Sequence, residues 1–157
     1  MDDLALARAL HVLSVIHWIG GLAFVTLIVL PLARSRPTAE EALALFAGME
    51  RRFSAQVRVS VPLAGATGLW MTYRWNLWDR FHDPHFWWMT AMFGLWLVFM
   101  LMLFVIEPLG HGSFEKKARQ DPAATFRRMS RLHVVLLLFA ALTAFGAVAG
   151  AHGLLFF

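Results

Sequence analysis

The chain has 157 residues, of which 59% are hydrophobic and only 15% charged, and its mean hydropathy is +0.61, a balance outside the range of soluble domains. A net charge of +4 would suit nucleic acid, but the basic residues gather at the ends of apolar stretches, where lipid headgroups lie, so nucleic acid is not the expected partner. Cysteine is absent, which excludes disulfides, thiolate-held iron–sulfur clusters and covalently attached haem.

Apolar stretches cover residues 9–33, 59–73, 84–106 and 132–157. About 20 helical residues cross the hydrocarbon of a bilayer, so three stretches span outright and the second needs its flanks. The expected fold is all-α. It is a single-domain polytopic membrane protein, an up–down bundle of four transmembrane helices with a short cytoplasmic amphipathic helix before helix two.

Helix one is predicted from about Leu4 to Leu32, ending near Pro31. Its leader carries Asp2 and Asp3, its apolar run is long, and no small-residue cleavage site follows; it reads as a retained span, not a signal peptide. Thr38-Ala-Glu-Glu41 has the pattern of a capping box and starts the amphipathic helix through Phe46 and Phe53. Pro62 falls inside the second span and predicts a kink. The following loop is aromatic, with Trp70, Tyr73, Trp75 and Trp78 suited to the headgroup region.

Pro84 is expected in the first turn of helix three and Pro108 at its end. Asp121-Pro122 opens helix four, with Asp121 as N-cap. Small residues there, Gly146 and Gly150 among them, let a second helix approach closely and offer a homodimer face. No sequence repeat is evident.

Eleven of the fourteen Lys and Arg residues lie between spans one and two or between three and four. This asymmetry places both termini on the periplasmic side of a bacterial-type plasma membrane.

Ionisable side chains inside a bilayer mark functional sites, so the histidines come first. His11 and His152 fall at similar depth in the outer halves of helices one and four, the placement for two axial ligands of a haem b or for part of a metal site. The plain alternatives are a hydrogen bond from His11 to a neighbouring helix carbonyl and an interfacial cap at His152. His17 lies about 120° around the helix from His11, which makes the two a poor chelating pair. His82 and His85 in the outer loop supply further metal ligands or form a polar, solvated loop. His111 and His133 read as basic interface residues.

Met89 and Met92 lie within reach of His11 and suit haem or Cu(I) ligation, against the default of core packing. Arg58 and Glu107, at the cytoplasmic end of spans two and three, are expected to pair. No nucleophile–base pair, membrane carboxylate pair or phosphate loop is present, so hydrolase or transferase chemistry has no footing.

Leu10-His11, Trp18-Ile19-Gly20-Gly21, Pro31 and Thr67-Gly68-Leu69-Trp70-Met71 resemble the copper-resistance CopD-like superfamily of small membrane proteins. Phe46-Ala-Gly-Met49-Glu50-Arg51-Arg52, followed by a Pro-containing helix and Gly-Leu-Trp, is similar to the neighbouring haem-containing protoporphyrinogen oxidases. That second resemblance implies that His11, seven residues before Trp18, is the haem-linked residue. Departures are equally specific. The lysine of that family's third helix is absent from Trp87-Trp88-Met89-Thr90-Ala91-Met92, its Pro-Arg pair reads Val25-Thr26, and its Asn-Glu-x-Pro element reads Arg131-Leu132-His133-Val134. These losses count against protoporphyrinogen oxidation.

The function expected is therefore haem b binding through His11, with His152, Met89 or Met92 as partner, in electron transfer or quinone- or porphyrin-linked oxidation. The alternatives are copper binding or transport through His11, His17, His82, His85 and His152, and an assembly subunit of a larger membrane complex.

Overall fold

The computed structural model describes residues 2–154, apart from the side chains of His111, Ser113 and Glu115; the expectation for His111 falls outside them. Helix α1 (Asp2–Phe24) passes through one wide π turn (Val25–Val29) into α2 (Leu30–Arg34), forming one 33-residue rod. Helix α3 (Ala39–Arg74) follows, then two 3-10 turns (Trp78–Phe81 and Pro84–Phe86). Helix α4 (Trp87–Leu101) passes through a second π turn (Met102–Ile106) into α5 (Glu107–Gln120), and α6 (Pro122–Ala151) completes the chain. There is no strand among the described residues.

The two π turns explain why neither rod stops at its proline. A proline lacks the N–H that the carbonyl four residues back would accept, and its ring crowds that carbonyl. Just ahead of Pro31 and Pro108 the helix widens instead, so that Leu30 N–H reaches Val25 O and Glu107 N–H reaches Met102 O, each five residues back. Both helices then continue, and the expected ends at Pro31 and Pro108 move to Arg34 and Gln120. The shared pattern, a π turn followed one residue later by Pro-Leu, is a likeness between the two rods that the sequence alone did not bring out.

Caps lie where side-chain chemistry puts them. Thr38 Oγ1 accepts from Glu41 N–H at 3.2 Å and Asp121 Oδ1 accepts from Ala124 N–H at 2.9 Å. The amphipathic segment after Thr38 and the segment after Pro62 are one continuous helix, α3.

The rods run antiparallel. Arg74 at the end of α3 pairs with Asp3 at the start of α1. Glu107 at the start of α5 meets Ser54 in the first half of α3, and Trp87 and Trp88 at the start of α4 pack on Gly146 and Gly150 near the end of α6. An inner core joins Trp18, Leu22, Val57, Val61, Ala64, Leu95, Phe99, Leu103 and Ala140. A second core at the basic end joins Val29, Leu30, Ala33, Ala42, Phe46 and Phe126.

Glycines seat aromatic rings between the rods. At Gly65 a Cβ would collide with the Trp96 ring, whose Nε1–H donates to Val61 O at 3.0 Å. Gly21 receives the Phe53 ring in the same way. Gly146 and Gly150 do allow a close approach, but the group they admit is this chain's own Trp87 and Trp88.

Three helical stretches, Asp2–Arg34, Pro84–Gly110 and Pro122–Ala151, are long and apolar enough to cross a membrane. No more than 28% of the most apolar part of any of them is buried inside the molecule, so its hydrophobic surface faces outward, as a lipid-embedded chain requires. The chain is a membrane protein. Helix α3 falls short of that composition because Ser54, Gln56, Arg58, Ser60, Thr67 and Thr72 interrupt it.

Candidate functional site

Along the first rod, Ala7, His11, Ser14, Trp18, Leu22, Val25 and Val29 recur at three- and four-residue spacing. That period lays them on one inward face. His11 thus points at α3, where its Nδ1–H donates to Ala64 O at 2.8 Å with Thr67 Oγ1 at 3.3 Å. This bond fixes the tautomer and leaves Nε2 with no hydrogen-bond partner among the described residues. The ring lies against Gly68, whose missing Cβ would sit 3.1 Å from His11 Cε1.

His17 also turns to α3, on the other flank of the same contact. Its Nε2–H donates to Gln56 Oε1 and its Nδ1 accepts from Ser60 Oγ, both at 3.1 Å. Both ring nitrogens are engaged, and six residues of helix separate it from His11 by about 9 Å along the axis. An angle of about 120° around the helix would turn the two toward different neighbours, yet both rings bond to α3.

The remaining expected ligands are dispersed. His152 is exposed at the end of α6, with Nδ1–H donating to Val148 O of its own helix at 2.8 Å. The hydrogen bonds of His11 run to α3, so no bond joins the His11–His152 pair. His82 is exposed. His85 donates both its backbone N–H and its Nδ1–H to Asp83 Oδ1, at 2.9 and 2.7 Å. The His85 backbone N–H, and then its ring N–H, hold the Asp83 carboxyl below its ordinary pKa. Met89 and Met92 are half-buried on α4. Among the described residues no three His, Asp or Glu side chains converge as a metal site.

What the fold assembles instead is a cavity of about 790 Å³ between the rods, toward the basic end, a size at the upper part of the range for small-molecule sites. Its lining runs along the helices from the buried Trp18, Val57 and Phe99, with the half-buried Leu136, past Ser54, Glu107 and His133 to Glu50 and the exposed Lys117 and Arg128, and it includes Met49, Met102 and Met129. His11, His17, His152, Met89 and Met92 do not line it.

The polar layer is tied together. Ser54 Oγ–H donates to both carboxylate oxygens of Glu107, at 2.6 and 2.7 Å, and Arg58 Nη2 donates to Oε1 at 3.2 Å. The expected Arg58–Glu107 pair is therefore present, with Ser54 as an added partner. His133 donates Nδ1–H to Met129 O at 3.0 Å, so its Nε2 has no hydrogen-bond partner among the described residues. The Trp18 indole N–H is buried and unpartnered among them.

The sequence reading placed His133 with the basic interface residues at the cytoplasmic side. The signal that finds it is periodicity: it stands seven residues from Phe126 and seven from Ala140, both fully buried, on the inward stripe of α6. Ser54 and Glu50 fall on the corresponding stripe of α3, between Phe46 and Val57. No protein family, no curated protein and no solved structure matches the chain.

Proposed function

We propose that the protein is a four-span integral membrane protein of a bacterial-type plasma membrane that binds haem b in the cavity at its basic end. In this reading α3 is the fourth crossing, its polar residues turned to neighbouring helices, and both termini face the periplasm in accord with the distribution of lysine and arginine.

The observation that carries the haem reading is the setting of His133. Its Nδ1–H is held by the Met129 carbonyl, the arrangement that orients an imidazole so that Nε2 can ligate a metal. Apolar walls suit the porphyrin body, Met102 and Met129 offer thioether groups within the same lining, and Arg128 and Lys117 are exposed members of it, where carboxylates would meet water. The donor set fits the group: His133 would hold the iron, and the two basic residues its propionates. When bound, haem supplies one-electron transfer. The chain orients the ring, excludes water from it and neutralises its acidic edge.

The resemblance to haem-containing protoporphyrinogen oxidases implies a haem held by His11, and the resemblance to CopD-like proteins implies copper handling. The His11 reading has one observation in its favour, the Ala64 carbonyl that presets His11 Nε2. Copper binding at His82 and His85 is the alternative on the loop side.

The test is the optical spectrum and metal content of detergent-purified protein produced with ample haem. A Soret band lost in His133→Ala and kept in His11→Ala supports the cavity. The reverse pattern supports His11. Colourless protein carrying copper, or no metal, overturns both haem readings.

A further inference from the structure

We infer that a second copy of this chain docks on the outward flank of the α1–α3 contact, with the Gln56 side-chain amides of the two copies paired across a two-fold axis. The surface lies outside the cavity, so the inference stands apart from the haem reading.

Helix α3 sorts its polar residues into two groups. Ser54, Ser60, Thr67 and Thr72 are buried. Gln56 is exposed, and so is His17, the α1 residue bonded to it. The surroundings of this pair are apolar: the large side chains that the first rod leaves exposed, Leu13, Ile16 and Phe24 among them, run from Leu6 to Leu32. That run centres on residue 19, so His17 lies about 3 Å from its middle at the helical rise and well inside hydrocarbon about 30 Å thick.

The pair leaves hydrogen bonds unmade. His17 Nε2–H donates to Gln56 Oε1 at 3.1 Å, and Ser60 takes up the other ring nitrogen. The Gln56 Nε2 group keeps its two N–H donors without a partner among the described residues, and Oε1 keeps a second lone pair. Lipid tails offer neither donor nor acceptor, so a polar side chain in that setting bonds across to another helix.

The group that fits must bring an acceptor and a donor together on an apolar helix face. A primary amide is its own complement, since each gives one N–H and receives one on its oxygen. Two-fold symmetry sets such a residue opposite itself, and a second copy then meets the requirement with no further group. Val59, one turn on from Gln56, is 67% exposed and extends the contact with apolar surface. Arg52, one turn toward the basic end, is exposed and carries its charge toward the headgroups on a long stem. The small-residue face of α6 is closed to this role, because Trp87 and Trp88 fill it at Gly146 and Gly150.

The test is sedimentation equilibrium of detergent-purified wild type and Gln56→Leu, with circular dichroism of both to report folding. Cysteine is absent from the chain, so a single Val59→Cys beside the axis reads the same contact in native membranes by oxidative cross-linking. Leu138→Cys, exposed on α6, is the control. The expected result is a wild-type dimer whose dissociation constant rises about five- to thirtyfold in Gln56→Leu, the scale of interhelical hydrogen bonds in a membrane. Val59→Cys gives an adduct of twice the chain mass that disappears when Gln56→Leu is added, and Leu138→Cys gives none. A wild type that stays monomeric at every concentration, or a folded Gln56→Leu that dimerises within twofold of wild type, overturns the inference. An adduct of Val59→Cys with any other mass also overturns it, by placing a foreign helix on this face.

Discussion

His11 on the first helix donates its Nδ1–H to the Ala64 carbonyl on α3 across 2.8 Å, and Gly68 one turn later is the residue that makes room for the ring. An imidazole placed inside a membrane thus serves as a strut between two helices, with its tautomer set by backbone geometry. His11→Ala removes the bond and the packing together. Thr67 Oγ1–H still reaches Ala64 O at 3.1 Å, which limits the loss to about 1–2 kcal/mol, read as a lower thermal midpoint in detergent. A midpoint equal to wild type would show that the strut carries no stability.

Gly65→Ala drives a Cβ into the Trp96 ring and Gly150→Ala does the same against Trp88. Each is expected to cost about 1–3 kcal/mol by overpacking. Gly20→Ala meets nothing within 4 Å and should be neutral or stabilising by up to about 1 kcal/mol, the helix preference of alanine over glycine. Thermal unfolding of the three variants side by side checks the order.

Within the polar layer, Glu107 is the shared acceptor and its side chain is 23% exposed against 43% for Arg58. Truncating Glu107 leaves the Ser54 hydroxyl and the Arg58 guanidinium without it, whereas truncating Arg58 leaves Ser54–Glu107 intact. Glu107→Ala is therefore expected to lower the thermal midpoint more than Arg58→Ala, with a Ser54–Glu107 coupling of about 0.5–3 kcal/mol in a double-mutant cycle. Equal effects of the two single variants would contradict this hierarchy.

In the outer loop, the His85 backbone and ring N–H groups depress the Asp83 pKa. A carboxyl whose folded pKa lies below its unfolded value stabilises the turn fully above the ordinary carboxylate range, and that contribution is lost as pH falls through the lower folded value. Nuclear magnetic resonance of the His85 ring should report release of the turn on acidification below the ordinary carboxylate pKa, and Asp83→Asn should show the released signal at neutral pH. A His85 signal indifferent to Asp83→Asn would rule the coupling out.

Helix-forming and lipid-facing character is written in local sequence. The apolar lengths, the caps at Thr38 and Asp121 and the Arg58–Glu107 pair were all legible, because each depends on residues close in the chain or on charges placed at span ends. Proline was misread as a terminator at residues 31 and 108, since a π turn that rescues the hydrogen bonding depends on helices that brace the widened segment. The small residues of α6 announced a close contact without naming Trp87 and Trp88 as its occupants.

By itself the sequence determined a helical, membrane-embedded protein, because transfer from water to hydrocarbon is a sum over residues and needs no knowledge of neighbours. Only the tertiary structure decided which inward residues share a space. It took His11 and His17 into one contact with α3, left His152 on its own helix, and gathered Trp18, Ser54, Glu107 and His133 from four separated segments around one cavity. The reason is geometric: periodicity tells which face of a helix turns inward, but the rotation and register of each rod against the others come from how glycines and aromatic rings interlock across the chain.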